Sequence, residues 1–390
     1  MNLTCDVLVV GGGVAGVPAA VAAARAGAHT ILVERESFLG GTGVIALHRY
    51  ICGLYLNGPI EPKETLNPGM AREVVARLKQ LAPASRPLQM GRVWGFPFQP
   101  AQLRSVYEGL AQEQANLTRL TSSVLKAVQH EDGRIASVTV QTPEGEQQIV
   151  VRSAIDATGS GALIRLSGAP FELAPEHERQ LGGCTLQLAG IEGDREFLAI
   201  KIAWQLGHLP AAQTNGLPPF AGFAAGCGDD EGFCKFSIPP ELARLDEATI
   251  TQRLEQIHAL LAALLPKELG GSRIVGHSRL MEREGVRLAG EWELDEESVL
   301  NARKFPNGVV RNAWPIEFWE PGASGPLYAY PPDGDYYEIP RRCLRSRTIA
   351  NLFATGRCIS ASSRALASTR TMGTCIALGE AVGKLASIYR

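Results

Sequence analysis

One stretch near the start of the chain limits its fold more than any other. Cys5 to Val10, "CDVLVV", is short, apolar and valine-rich, as suits a parallel strand buried on both faces. It runs directly into Gly11-Gly12-Gly13-Val14-Ala15-Gly16, in which Gly11, Gly13 and Gly16 satisfy G-x-G-x-x-G. The first glycine allows a tight turn, the second lets backbone approach a pyrophosphate, and the third lets a helix pack close to the strand. An alanine-rich segment, "VPAAVAAARAGA", follows as that helix, with Ala20 keeping the same face small. Pro18 lies inside it, where a proline removes one helical hydrogen bond. A second strand is expected at Thr30 to Val33, ending in Glu34, about twenty residues after the glycines, where an acid accepts hydrogen bonds from a ribose. A glycine motif alone is weak evidence, because glycine turns are common. The ordered series of strand, glycines, helix, strand and acid is specific for a dinucleotide.

Two dinucleotides compete for such a unit. Directly after Glu34 and Arg35 comes a second glycine pair, Gly40-Gly41, then Thr42. A simple NAD domain proceeds from here to another helix and strand. A glycine loop at this place suits a ligand whose pyrophosphate and ribityl chain run further, and FAD is that ligand. Gly11, Gly12, Gly13, Val14, Ala15, Gly16, Glu34, Arg35, Gly41 and Thr42 are therefore the candidate FAD residues of the N-terminal end.

The run "VVGGGVAGVPAAVAAARAGAHTILVERESFLGGT" resembles the start of the glutathione-reductase-like FAD-dependent oxidoreductases, within them the FAD-dependent oxidoreductase branch of bacteria. The resemblance implies an α/β chain with a Rossmann-like FAD-binding domain, a parallel sheet plus a β-meander, and a second α+β substrate domain. It divides the chain into 1–169 for the first part of the FAD domain, 170–335 for the substrate domain with an aromatic loop, and 336–390 for the closing part.

The middle of the chain fits that outline. Residues 70–81 and 101–115 have helical apolar spacing, and strand-like runs at 134–141 and 147–153 flank a Pro143-Glu144-Gly145 turn, as a hairpin does. Ala154 to Ala157 then leads to Thr158-Gly159. The resemblance assigns Val124 to the adenine and Ala157 and Gly159 to the returning "ATG" turn at the cofactor. Further on, "NLFATGRCISASSRALASTRTMGTCIALGE" reads as strand, glycine turn, polar loop, and a second glycine turn opening a helix. Taken alone this is the pattern of a phosphate site. It lacks an acid after a following strand, and it matches the closing block of the FAD family. By that match Gly356 and Arg357 face the pyrophosphate and ribityl chain, while Met372, Gly373 and Thr374 face the flavin ring.

Catalytic candidates are fewer. "RLMEREGVRL" resembles an Arg-Glu-x-x-Arg block of the branch, here Arg283, Glu284 and Arg287; an arginine at a flavin-facing cleft binds a carboxylate or polarises a carbonyl, whereas on a solvated face it is surface charge. Arg370, just before the second glycine turn, can add positive charge there or bind an anionic substrate. Tyr337, His48 and Glu317 are the general-base candidates, and His48 is also a candidate covalent anchor for flavin. Trp314, Phe318, Trp319, Tyr328, Tyr330, Tyr336 and Tyr337 crowd one proline- and glycine-punctuated loop, in a chain with only 6% aromatics. Such a loop either lids a planar substrate or is pinned to the core or a dimer contact. The branch usually carries His where Trp319 stands and Tyr where Arg341 stands, so its acid–base roles do not transfer directly.

No second strand–GxGxxG unit is present, so no separate NAD(P) domain is expected, and electrons enter or leave through substrate, oxygen, quinone or a protein partner. The expected activity is that of an FAD-dependent dehydrogenase or oxidase moving a hydride between a small organic molecule and flavin N5. The alternative is an electron-transferring flavoprotein subunit working with a partner chain.

Bulk properties narrow the partners. Apolar residues at 45% and charged residues at 20% suit a soluble globular protein, and a formal net charge of -2 offers no basic field for nucleic acid. The apolar N-terminal run contains three consecutive glycines, a proline and Arg25 with no basic segment before it, which argues against a signal peptide or membrane span. Eight cysteines contain no C-x-x-C pair, so no metal site, iron–sulfur site or redox dithiol of usual spacing is expected. Reduced buried thiols and a cytoplasmic location are the expectation, with a homo-oligomer compatible.

Overall fold

A computed structural model describes residues 3–193, 197–208, 221–225, 230–238, 246–323 and 325–389. Cys227, one of the eight cysteines, lies outside the described residues.

The central feature is a seven-stranded sheet. Strand Leu3–Val10 pairs in parallel with Thr30–Val33 on one side and Gly145–Asp156 on the other, and Thr30–Val33 pairs in parallel with Leu117–Leu120. Strands Val124–Glu131, Arg134–Thr142 and Gly145–Asp156 form the antiparallel meander. The last, from near the end of the chain, is Leu352–Ala354, parallel to the far half of Gly145–Asp156. The expected α/β class with a Rossmann-like parallel sheet and meander is what the chain forms. Alternation along the first strand explains how the sheet is covered. Val7 and Val9 point into a core with the helices Gly16–Arg25, Met70–Leu81, Pro100–Gln112 and Met372–Ile388. Leu8 and Val10 point into a second core with Leu163, Val286 and Leu352.

Helix Met70–Leu81 coincides with the expected segment, while the second amphipathic helix runs Pro100–Gln112, shorter than 101–115 at its C-terminal end. Pro18 loses nothing: the helix begins at Gly16, so Pro18 falls in the first turn, where amides have no intrahelical partner. The two chain ends are joined by helix on helix. A Cβ on Gly379 or Gly383 would overlap the Ala15 and Ala19 carbonyl oxygens, so these glycines let the C-terminal helix lie directly against Gly16–Arg25.

A separate four-stranded antiparallel sheet has the order Ala221–Ala225, Gly232–Ile238, Gly182–Ala189 and Arg273–His277. Its core includes Leu186, Phe236, Ile202 and Leu261, drawn from this sheet and helices Leu198–Gly207 and Glu247–Leu264. The latter helix is capped by Asp246, which accepts from the Thr249 amide at 2.9 Å. A small sheet of Tyr50–Cys52, Leu88–Met90 and Val93–Pro97, unforeseen from sequence, stands beside the glycine loops. The aromatic segment is a hairpin as well as a loop: Ile316–Phe318 pairs antiparallel with Leu327–Ala329. Residues Leu294, Val310, Ile316 and Tyr337 join the core of the nucleotide-binding body.

Among the described residues, no helix is long and apolar enough to cross a membrane, and no group of three or more His, Cys, Asp or Glu could hold a metal. All seven described cysteines are free.

Candidate active site

The glycine loop is shaped by contacts that only glycines permit. Gly11 has φ of +105°, and a Cβ there would come within 2.5 Å of the Ala157 carbonyl oxygen. A Cβ on Gly16 would overlap the Gly11 carbonyl. Gly13 differs: a Cβ would meet nothing closer than the Gly41 Cα at 3.9 Å, so the space beside it is open within the protein. The second glycine loop packs on the first, with the Gly40 amide donating to the Gly12 carbonyl at 2.9 Å and Gly41 at φ +46° facing Gly13. Tyr107 donates its hydroxyl to the Val14 carbonyl at 3.1 Å and fixes the turn from behind.

Glu34 is buried at the end of its strand. Its Oε2 accepts from the Gly12 amide at 2.5 Å and its Oε1 from the Glu36 amide at 2.8 Å. Each oxygen keeps further acceptor capacity for a ribose hydroxyl. Thr158 and Gly159, φ +71°, stand opposite, ordered by Asp156, which accepts from the Thr158 and Ile164 amides, both at 2.9 Å. Full burial raises the Asp156 pKa despite these hydrogen bonds. The Arg357 guanidinium lies beside Gly159 and donates to the Glu282 carbonyl.

These pieces line one cleft of about 610 Å³ that runs from Glu34, Arg35 and Glu36 past both glycine loops to Gly183, Thr185 and Lys235 of the four-stranded sheet. Gly11, Gly13, Val14, Ala15, Gly41, Thr42, Ala157, Gly159, Gly356, Arg357 and Met372 all line it, as expected. Four other expected residues stand behind it. Gly12 and Gly16 act through packing, the latter against Gly11. Gly373 packs on the Gly53–Leu54 backbone, and the buried Thr374 hydroxyl bonds to Thr371 Oγ1 at 3.0 Å. Helix Met372–Ile388 still presents its N-terminus here: Thr371 lines the cleft as its N-cap, and its side chain caps no first-turn amide. Val124 is half exposed and not part of the cleft wall.

At the inner end the lining changes character. Lys235, Arg283 and Arg370 meet His48, Cys52, Glu317, Trp314, Tyr50, Tyr328 and Tyr330. Arg283 Nη1 donates to the Leu181 carbonyl at 2.5 Å and also to Gly182, and Arg370 Nη2 donates to the Glu317 carbonyl at 3.0 Å. Glu317 is held by two indoles: Trp314 Nε1 donates at 3.2 Å and Trp319 Nε1 at 2.9 Å. Enclosure by protein lowers the Lys235 pKa to about 8, aided by the neighbouring Arg283 and Arg370 charges, and lowers Arg283 to about 9. The same enclosure, with those cations around it, pushes His48 down to about 3, so its imidazole is neutral and a weak proton acceptor. Burial raises the Cys52 thiol to about 12, leaving no thiolate nucleophile.

Tyr337, expected as a catalytic candidate, is not in the cleft. It is fully buried, where its hydroxyl accepts from Asn312 Nδ2 at 2.6 Å and bonds Ser368 Oγ at 2.6 Å. Its sequence spacing after the aromatic run gave no sign that the next strand, Tyr337–Pro340, turns it into the core. Glu284 and Arg287 of the Arg-Glu-x-x-Arg block form a buried ion pair at 2.5 Å away from the cleft wall, so only Arg283 of the three reaches the cleft.

The profile of the family described as FAD dependent oxidoreductase matches residues 6–390. The chain belongs to this family. Among solved structures, it is similar to a geranylgeranyl bacteriochlorophyll reductase-like protein from Thermoplasma acidophilum, at 12% identity and a TM-score of 0.51, covering 99% of this chain and 79% of that one. It also overlaps OxyS anhydrotetracycline hydroxylase from Streptomyces rimosus, at 15% identity and a TM-score of 0.48, over 75% of this chain and 55% of that one. At such identity the first likeness concerns the fold. No curated protein matches the sequence.

FAD is the cofactor this family uses, and the cleft fits it. The open space at Gly13, the acceptor capacity of Glu34 and the uncapped helix start at Thr371 are what a dinucleotide carrying a flavin requires. Sequence reading of this FAD dependent oxidoreductase missed Lys235 and Cys52 as cleft residues. Lys235 had a signal: it is the one charged residue in the strand Gly232–Ile238, "GFCKFSI".

Proposed function

We propose that this FAD dependent oxidoreductase is a dehydrogenase or oxidase that moves a hydride between a small organic molecule and flavin N5, without an NAD(P) domain of its own. The observation that carries this reading is the continuity of the cleft, from a dinucleotide cradle into a chamber with cationic and aromatic walls. FAD when bound supplies the two-electron acceptor.

The chain's own residues provide the rest. The helix start at Thr371 and the charges of Arg370 and Arg357 line the cleft and would stabilise negative charge developing on a bound flavin. Arg283 and Arg370 orient the substrate through guanidinium donors. Glu317, kept in place by two indole N–H groups, is the proton acceptor, since His48 is poorly basic and Tyr337 is out of reach. Walls from Tyr328, Tyr330 and Trp314 limit water.

The test is anaerobic mixing of the yellow holoprotein with a library of small organic molecules, following the visible flavin band. Bleaching by one compound class, slowed by Glu317→Gln, is the expected result. A second reading, an electron-transferring subunit with a partner chain, is favoured by one observation: Phe197, Ile200 and Trp204 form an exposed apolar row at 51%, 64% and 59% accessibility among the described residues. Bleaching by no compound, with reduction only by a protein donor, decides for that reading.

A further inference from the structure

Three cations share the inner end of the cleft with one carboxylate. The charge field at Lys235 comes from Arg283, Glu317 and Arg370, and that at Arg283 from Arg370 and Glu317. Arg370 also feels Arg357 and, more weakly, Glu284, whose own charge is matched by Arg287. Glu317 spends both oxygens on indole donors rather than on an ion pair with any of the three. No ion pair involves Lys235, Arg283 or Arg370 among the described residues. Among the described residues, two of their donors have no hydrogen-bond partner: Arg283 Nη2 and Arg370 Nε, both shut off from bulk water. Arg283 is 93% buried, with 7% of its surface exposed. Buried guanidinium donors left unpaired cost free energy, and they persist where a ligand completes them.

The walls around these charges are flat and apolar. Arg283 lies 3.9 Å from the Trp319 ring centroid, so an indole covers one face of a guanidinium that also lines the cleft. Tyr328 and Tyr330 stack at 6.0 Å between centroids with 26° between planes, and together with Met90 and Val93 they line the approach.

We infer that Lys235, Arg283 and Arg370 form a carboxylate-binding subsite, and that the molecule taken there is a small organic acid with a planar unsaturated or aromatic body. The inference rests on the reading of this chamber as the substrate site and names the class of compound it takes. An anion brings the two or three acceptors the guanidinium and ammonium donors lack, while a neutral isostere brings one and leaves the excess charge uncompensated. Lys235 is the member with no backbone task. Its loss removes charge without removing a structural hydrogen bond, whereas Arg283 holds the Leu181 and Gly182 carbonyls.

The experiment is equilibrium titration of the holoprotein with benzoate and with benzamide, read by calorimetry and by the perturbation of flavin absorbance, so that no turnover is needed. Benzoate should bind about ten- to a hundredfold more tightly than benzamide, the range for hydrogen bonds to charged groups. Lys235→Met should remove most of that preference while leaving FAD retention intact, and Lys235→Arg should restore part of it. Equal binding of the two probes, no benzoate binding at millimolar concentration, or an unchanged preference in Lys235→Met overturns the subsite. These outcomes are separate from the hydride-transfer reading. A protein that prefers benzoate but is bleached by no acid keeps the subsite and loses the reaction, and one bleached only by neutral molecules does the reverse.

Discussion

Trp319 serves two groups at once: its ring faces the Arg283 guanidinium at 3.9 Å, and its Nε1 donates to Glu317 Oε1 at 2.9 Å. The branch that the sequence resembles usually carries a histidine at this position. The indole instead ties a cation and a carboxylate into one rigid wall without contributing a titrating group. Trp319→Phe keeps an aromatic face for Arg283 and removes the donor to Glu317. A loss of about 1.5–3 kcal/mol in urea unfolding is expected for a hydrogen bond to a charged group, with FAD still bound.

Gly13 and Gly16 look alike in the motif and should fail differently. Gly13→Ala adds a methyl into space that the protein leaves open, so the apoprotein should unfold at an unchanged midpoint while FAD retention falls at least about tenfold. Gly16→Ala drives a methyl into the Gly11 carbonyl, so the apoprotein itself should be destabilised. Flavin content after gel filtration, set beside apoprotein melting, separates the two. Normal FAD retention in Gly13→Ala would remove the pyrophosphate from that position.

Glu284 and Arg287 are buried together, with Ser363 also donating to Glu284. Arg287→Met strands a buried carboxylate and should cost about 3–5 kcal/mol by chemical denaturation. Adding Glu284→Gln should recover much of that loss, because the uncompensated charge is then gone.

Binding of benzoate should weaken as pH rises above about 8, where free Lys235 loses its proton. The sign follows from linkage: the bound anion favours protonated Lys235, so above that pH binding takes up a proton and affinity falls by up to about tenfold per unit. The groups that face it do not reverse this. His48 is neutral throughout, Cys52 is a thiol up to about 12, and Arg283, lowered to about 9, loses its proton in the same direction as Lys235. A flat pH profile from 7 to 9.5 in calorimetry would exclude Lys235 as a ligand to the anion.

Tyr337→Phe tests the one candidate that the fold takes out of the cleft. It should lower stability by about 1 kcal/mol, since Asn312 keeps its contacts with Ser368. Turnover rates should match those of the unchanged protein.

Local chemistry wrote much of this protein into its sequence. The apolar strand, Gly11 and Gly16 against their neighbours' backbone, and the acid at position 34 are short-range demands, and each appears where the spacing placed it. The closing block near Gly356 was also legible, because a strand followed by a glycine turn is a local signal. What sequence could not give is which side chains end up facing one another from distant segments. Lys235, Arg283, Glu317 and Arg370 come from four separate stretches, and only the packing of the four-stranded sheet over the cleft turns them toward one chamber. Tyr337 shows the converse: an aromatic beside an aromatic loop reads as a lid, but the strand pairing with Gly308–Asn312 decides that it faces the core. Gly379 and Gly383 read as ordinary members of an alanine-rich helix until the N-terminal helix is seen pressed against them. Backbone geometry obeys neighbours in sequence, whereas charge and burial obey neighbours in space, and the chemistry of this cleft is made of the second kind.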